Sequence, residues 1–213
     1  MIFQLDPYTL QFPDPARAEP DGLLAIGGDL RPERLMAAYQ QGIFPWYDDH
    51  TPILWYSPHE RFVLYPQMLK ISKTMRRVLR AGHFHVTYDQ AFAEVIAACA
   101  THPRAGQDGT WITKDMQQAY ITLHDLGHAH SIEVWLADKL VGGLYGVSVG
   151  RLFCGESMFS REANASKVAL ASLCLSGNYD LIDCQVYTDH LASLGAVMVP
   201  RDEYMDRLVK SSG

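Results

Sequence analysis

Cysteine is scarce in this chain. Four occur in 213 residues (Cys99, Cys154, Cys174, Cys184), too few and too dispersed for a disulfide framework or a CxxC metal knuckle. Reduced thiols in a cytoplasmic protein are expected. No apolar run approaches the roughly 20 residues that a membrane helix requires. The first twelve residues include Asp6 and lack the basic and apolar regions of a signal peptide, so no membrane partner is expected. Internal repeats and low-complexity segments are absent. A 48% hydrophobic composition excludes a disordered or collagen-like chain. An excess of positive charge is also missing: the formal net charge is −6, which argues against general nucleic-acid binding.

The distribution of charge changes that reading. From Arg61 to Tyr88 there is no Asp or Glu, yet the stretch holds Arg61, Lys70, Lys73, Arg76, Arg77 and Arg80. Those are six of the 18 bases, which leaves 12 against 24 acids elsewhere. Met68, Ile71, Met75 and Val78 recur at helical spacing, while Lys73, Arg76, Arg77 and Arg80 share another face. The spacing predicts an amphipathic helix with a concentrated cationic side. No acid stands four residues away to pair with these bases, so the patch is either a solvated face or a localised polyanion site. Arginine forks suit phosphate.

The first 60 residues read as loop-rich, with seven of the eleven prolines before residue 53. One helix is expected from Pro32 to Gln41, with Gly42 as its cap. Gly22 to Leu30 is an apolar run ending in a double-glycine turn, without the residues of a phosphate loop. The aromatics of Ile43 to Trp46 and Ile53 to Tyr56 form either a mini-core or a stacking wall. After the basic helix, a strand is expected at Phe84 to Tyr88, then a helix capped by Asp89. A polar loop, Thr101 to Thr110, precedes a helix capped by Thr113 and running to Leu126. A hairpin follows (Ala129 to Leu136, Leu140 to Val149), then a strand, Phe153 to Phe159. The remainder alternates helix and strand: Ala165 to Ser176, Leu181 to Val186, His190 to Leu194, Val197 to Pro200 and Asp202 to Val209. The class is α+β, a mixed sheet in which antiparallel strands are followed by βα units.

Several catalytic patterns fail. Gly155 to Phe159 lacks the second glycine of a nucleophile elbow. His59 to Val63 lacks the second histidine of a zincin. His124, His128 and His130 have no third ligand at useful spacing, so no metal is expected. Two clusters survive. Glu156 stands in an apolar, glycine-flanked strand, where a carboxylate needs a cation or a structural arginine. Asp183 and Gln185 are two apart in a strand, which puts both side chains on one face. Such a pair is either a hydrogen-bond network or a ligand site.

The residues also resemble a known family. Gly22 to Leu30, Tyr39 to Trp46, Thr110-Trp111-Ile112-Thr113, His128 to Trp135, Gly142 to Gly146, Phe153 to Phe159, Asn164 to Lys167 and Asp183-Cys184-Gln185 are similar, in order and over nearly the whole chain, to the leucyl/phenylalanyl-tRNA–protein transferases. The resemblance implies a cytoplasmic enzyme that moves Leu or Phe from Leu-tRNA or Phe-tRNA to proteins with N-terminal Arg or Lys, creating a degradation signal. It implies a small N-terminal domain (1–60) joined to an acetyltransferase-like (GNAT) domain (61–213) carrying the basic helix. No cofactor is expected. The acyl-CoA signature is absent, as suits an ester donor, and a monomer is expected.

By resemblance, Asp183, Gln185 and Glu156 are catalytic. Leu144, Phe153 and Ile182 line the donor side-chain pocket. Trp46 and Trp111 bind the 3′-terminal adenosine, and Lys73, Arg76, Arg77 and Arg80 grip the tRNA. The family's pocket aromatic at the end of the helix after Lys167 has no counterpart between Ser176 and Tyr179. An amide that both donates and accepts allows a relay in which Asp183 holds the Gln185 NH₂ and the Gln185 carbonyl faces the acceptor amine. Glu156 is the candidate receptor for the acceptor's cationic side chain. Two other readings are an acyl-CoA-dependent acetyltransferase and a non-catalytic adaptor that binds N-terminal residues.

Overall fold

Two sheets organise the chain in the computed structural model, which describes residues 2–102 and 110–211. The expected polar loop therefore lies, from 103 to 109, outside the described residues. The first 60 residues hold more strand than their proline content predicts. Strands β1 (Phe3–Leu5), β2 (Leu23–Gly27), β3 (Phe44–Pro45) and β4 (Leu54–Tyr56) form a sheet of order β1-β2-β4-β3, and α1 (Pro32–Tyr39) packs beside it. Strands of two to five residues are too short to show alternation, which is why they read as loop. Gly27 and Gly28 take φ of +82° and +76°, and the Gly27 carbonyl accepts the indole N–H of Trp55 at 2.8 Å. The double glycine is thus a structural turn over a buried tryptophan. Among the aromatics, Phe44 and Trp55 are buried in the core, as a mini-core requires, while Trp46 is 41% exposed.

The large sheet begins at β5 (Glu60–Leu64). Next come α2 (Lys73–Ala81), β6 (His85–Tyr88), α3 (Phe92–Thr101), α4 (Lys114–Asp125), β7 (Ala129–Leu136), β8 (Lys139–Val149) and β9 (Leu152–Ser160). The chain ends with α5 (Ala165–Leu175), β10 (Leu181–Gln185), α6 (Asp189–Ser193), β11 (Val197–Pro200) and α7 (Arg201–Ser211). The sheet order is β11-β5-β10-β9-β8-β7-β6, and only β9 and β10 run parallel. The chain therefore adopts the expected α+β class, with a small N-terminal sheet and a larger mixed sheet. Its faces carry separate hydrophobic clusters. One holds α3, α4, α7 and the N-terminal elements, and the other holds α2 and α5.

Three expectations change in the structure. The basic helix starts only at Lys73, where the Ser72 hydroxyl accepts from Met75 N at 3.1 Å, and it stops at Gly82 with φ +66°. Met68 belongs to a separate 3-10 turn after Pro66 and is exposed, so it is not on the helix's apolar face. Asp89 does not cap α3. Its φ is +57°, and its carboxylate accepts from Ser131 N and meets His130 Nδ1, both at 2.8 Å. The neighbouring strand β7 captures the side chain before the helix begins. Arg61 does not belong to the cationic patch. It lies in β5, a central strand buried on both faces, and is itself fully buried. Thr113 does cap α4, accepting from Met116 N at 3.2 Å.

Candidate active site

The site forms where the parallel pair parts. β9 and β10 run in register from Leu152↔Leu181 to Cys154↔Asp183 and then diverge. A cavity of about 750 Å³ opens between them, lined by Gly155–Ser160 on one side and Ile182–Val186 on the other. A bulge marks the point on each strand. In β9, Ser157 faces Tyr145 and Gly155 faces Gly146, so Glu156 is the extra residue. A Cβ on Gly146 would come 2.1 Å from the Cys154 carbonyl, so this strand crossing admits only glycine. In β10, Asp183 faces Val63 and Gln185 faces Phe62, so Cys184 is extra, and Gln185 takes φ +62°. Bulges re-aim side chains and recur beside active sites.

These bulges overturn the simple i, i+2 geometry. Asp183 does not hold the Gln185 NH₂. It turns away, is wholly buried, and accepts from Arg61 Nε at 3.0 Å, Arg61 Nη2 at 2.8 Å and the Tyr204 hydroxyl at 2.9 Å. Its contact with residue 185 is through the backbone: Gln185 N donates to Asp183 Oδ1 at 2.8 Å. Arg61 is sandwiched between the rings of Phe44 and Tyr204, at 4.7 and 4.6 Å, and donates to the Gly42 carbonyl. Burial opposes its charge, but the Asp183 carboxylate outweighs burial and holds the guanidinium ionised.

Glu156 takes the role expected of Asp183. The Gln185 Nε2 donates to Glu156 Oε1 at 2.8 Å. Tyr39 of α1 donates to the same oxygen at 2.8 Å, and Tyr120 of α4 to Oε2 at 3.3 Å. The two phenols also touch each other. Burial raises the Glu156 pKa from 4.5 to about 7, against the hydrogen bonds of Tyr39 and Gln185 that lower it. Burial and then the Glu156 charge push both phenols well above their usual range. Three donors take up most of the carboxylate's acceptor capacity, so little is left for an incoming cation. With its NH₂ engaged, Gln185 leaves its carbonyl oxygen without a protein partner among the described residues.

The remaining expected residues fall around this centre. Leu144, Phe153 and Ile182 line the cavity on the face that carries α5, whose Leu170 and Leu173 complete the apolar wall. Tyr179 does not reach the cavity. Its ring packs on Phe153 from outside, at 5.1 Å, with its hydroxyl 2.7 Å from Ser148. Trp46 and Trp111 also line the cavity. Lys73, Arg76, Arg77 and Arg80 are not in the cavity. They are exposed on α2, whose Met75 is buried in the same cluster as Phe153 and Ile182. None of the four has an acidic partner among the described residues, though Arg76 Nε is held by the Ile71 carbonyl at 3.2 Å. His124 stacks on Phe92 at 4.4 Å, and no group of metal ligands occurs among the described residues.

Sequence reading missed Tyr39, Tyr120, Arg61 and Tyr204 as members of the site. Each reaches it across a long sequence separation, Arg61 and Asp183 being 122 positions apart, and no local pattern encodes such contacts.

Comparisons with known proteins identify the family. Residues 63–209 match the model of the leucyl/phenylalanyl-tRNA protein transferase, and residues 28–59 match that of its N-terminal domain. The chain is 57% identical over 206 residues to the leucyl/phenylalanyl-tRNA–protein transferase of Syntrophus aciditrophicus, covering 95% of this chain and 86% of that one. Identity is 54% to the enzyme of Cellvibrio japonicus (98% and 91% covered) and 56% to that of Yersinia enterocolitica (97% and 89%). Among solved structures, a GCN5-related N-acetyltransferase from Kribbella flavida aligns over 78% of this chain and 59% of that one, at 9% identity and a TM-score of 0.38. With family models matching residues 28–59 and 63–209 and relatives above half identity along nearly the full length, this chain belongs to the leucyl/phenylalanyl-tRNA–protein transferase family.

Proposed function

We propose that this chain transfers Leu or Phe from aminoacyl-tRNA to the α-amino group of proteins beginning with Arg or Lys, marking them for degradation in the cytoplasm. The observation that carries the reading is the amide of Gln185. Glu156 binds its NH₂, which leaves the carbonyl free, among the described residues, in a cavity lined by both aromatic and aliphatic side chains. That carbonyl accepts a hydrogen bond from the acceptor amine and aims its lone pair at the ester carbon. The nitrogen attacks, the carbon–oxygen bond to the ribose breaks, and the proton lost by the amine passes to the leaving ribose hydroxyl. The ester is already activated, so the chemistry is largely positioning. Trp46 and Trp111 stack the terminal adenosine. Leu144, Phe153 and Ile182 hold the donor side chain, where each methylene is worth about 1–3 kcal/mol. The bases of α2 meet tRNA phosphates.

The division into an N-terminal unit to about residue 60 and a catalytic unit beyond it is supported by the two sheets, whose strands fall at 3–56 and 60–200. Among the described residues, no helix is long and apolar enough to cross a membrane. The test is incubation of an Arg-initiated peptide with Phe-tRNA, read by mass. Addition of one Phe to the free but not the acetylated N-terminus is expected. Modification from acyl-CoA instead would overturn the reading in favour of an acetyltransferase, and binding without any transfer would favour an adaptor.

A further inference from the structure

The contacts of Glu156 extend beyond the residues that face the cavity. Each phenol has a single proton. Tyr39 gives its proton to Glu156 Oε1, so the Tyr120 proton is shared between the Tyr39 oxygen and Glu156 Oε2. The result is a chain from Tyr120 through Tyr39 and Glu156 to the Gln185 amide. Both tyrosines are fully buried, so their hydroxyls have no water to replace the contact.

We propose that Tyr39, carried in by α1 of the N-terminal unit, and Tyr120 of α4 are positioning residues for the transfer: by donating to Glu156 they keep it a hydrogen-bond acceptor, and so hold the Gln185 carbonyl toward the incoming amine. The reason is the chemistry of the two forms of Glu156. Ionised, it only accepts, and the Gln185 NH₂ must turn to it. Protonated on Oε1, the oxygen that meets the amide, it donates to the Gln185 carbonyl, the amide turns over, and its NH₂ faces the amine. Two donor groups then oppose each other and attack is not oriented. The inference rests on the transfer reading above and deepens it. It also gives the N-terminal unit a direct part in the reaction centre.

The other groups facing Glu156 act in known directions. The Asp183 charge raises its pKa, and Asp183 is itself paired with Arg61. Cys154 lies beside the pair with its thiol pushed well up by burial. Tyr145 of β8 packs edge-on against Tyr120, and His102 and His190 line the same cavity. The donors remain the groups that keep the carboxylate ionised.

The experiment is the pH dependence of kcat at saturating Phe-tRNA and Arg-peptide for wild type, Tyr39→Phe and Tyr120→Phe. Titration of the acceptor amine contributes the same limb to all three, so differences report Glu156. Losing one hydrogen bond to the carboxylate should move the acid limb of Tyr39→Phe to higher pH by about one unit. The shift for Tyr120→Phe should be smaller, and KM for Phe-tRNA unchanged in both. Difference infrared spectroscopy should show the protonated carboxyl band persisting to higher pH in Tyr39→Phe and missing in Glu156→Gln. A limb and band that stay in place in a folded Tyr39→Phe enzyme would overturn the inference and leave the transfer reading intact. Absence of transfer by the wild-type chain would instead overturn that reading.

Discussion

Gln185 is placed at the site by a backbone conformation that its own residue type does not favour, φ +62°. A left-handed φ in a non-glycine residue is uncommon and costs of order 1–3 kcal/mol. Here it is held by the backbone bond to Asp183 and the side-chain bond to Glu156. If the amide orients the amine, Gln185→Ala should cut kcat by about 10² or more, because positioning and proton handling fail together. Binding of aminoacyl-tRNA should change little, and near-normal turnover in the folded variant would reduce the residue to a structural link. Arg61 supports the centre at one remove. Arg61→Met would strand Asp183 as an uncompensated buried charge, and removing one partner of such a pair costs about 3–5 kcal/mol. A urea midpoint close to that of the wild type would contradict the pairing.

At the scale of elements, α2 and the β9–β10 opening divide the work. The helix is nine residues long, capped by Ser72 and Gly82, with only Met75 buried. Its arginines and lysine are exposed and contribute nothing to the core. Lys73→Ala, Arg76→Ala and Arg80→Ala together should flatten the log–log salt dependence of tRNA binding by roughly 2–3 units. An aminoacyl-adenosine donor, which has no tRNA body, should be indifferent to them. Equal loss with both donors would make the helix structural. The apolar wall is an element effect too: α5 supplies Leu170 and Leu173, and Tyr179 stiffens Phe153 from behind.

For the whole molecule, the reaction centre costs stability. The folded pKa of Glu156, about 7, stands above the ordinary 4.5. The folded chain therefore binds more protons than the unfolded chain between those values. The contribution is fully present below pH 4.5 and lost as pH rises through 7, a penalty of about 3 kcal/mol at alkaline pH. Glu156→Gln never charges, so its Tm should exceed that of the wild type by ~6–12 °C at pH 8 and show little gain at pH 4. A Tm difference that does not change with pH would show that the carboxyl is not held protonated by burial. Activity should be impaired in the same variant, so stability and function pull against each other at one carboxyl.

Much of this chain was legible in one dimension because its signals are local. Unlike the Ser72 cap of α2, the Thr113 cap, the hairpin of β7 and β8 and the helical spans of α3 and α4 followed from neighbours within one or two turns. So did the short list of polar residues set in apolar strands, Glu156, Asp183 and Gln185, since an isolated buried carboxylate is too costly to be incidental. The four strands of the N-terminal unit escaped because they are short, and β5 because it is buried on both faces, where period-two alternation vanishes. What only the tertiary structure decided is which carboxylate does what. Alternation along β10 predicts that Asp183 serves Gln185. Two bulges, set by strand pairing with β5 and β8, turn Asp183 toward Arg61 and give Gln185 to Glu156. The β9 bulge is set against β8, only nine to twelve residues away, but the β10 register depends on β5, some 120 residues away, and the polar contacts that follow cross 29 to 122 positions, which no local sequence pattern carries.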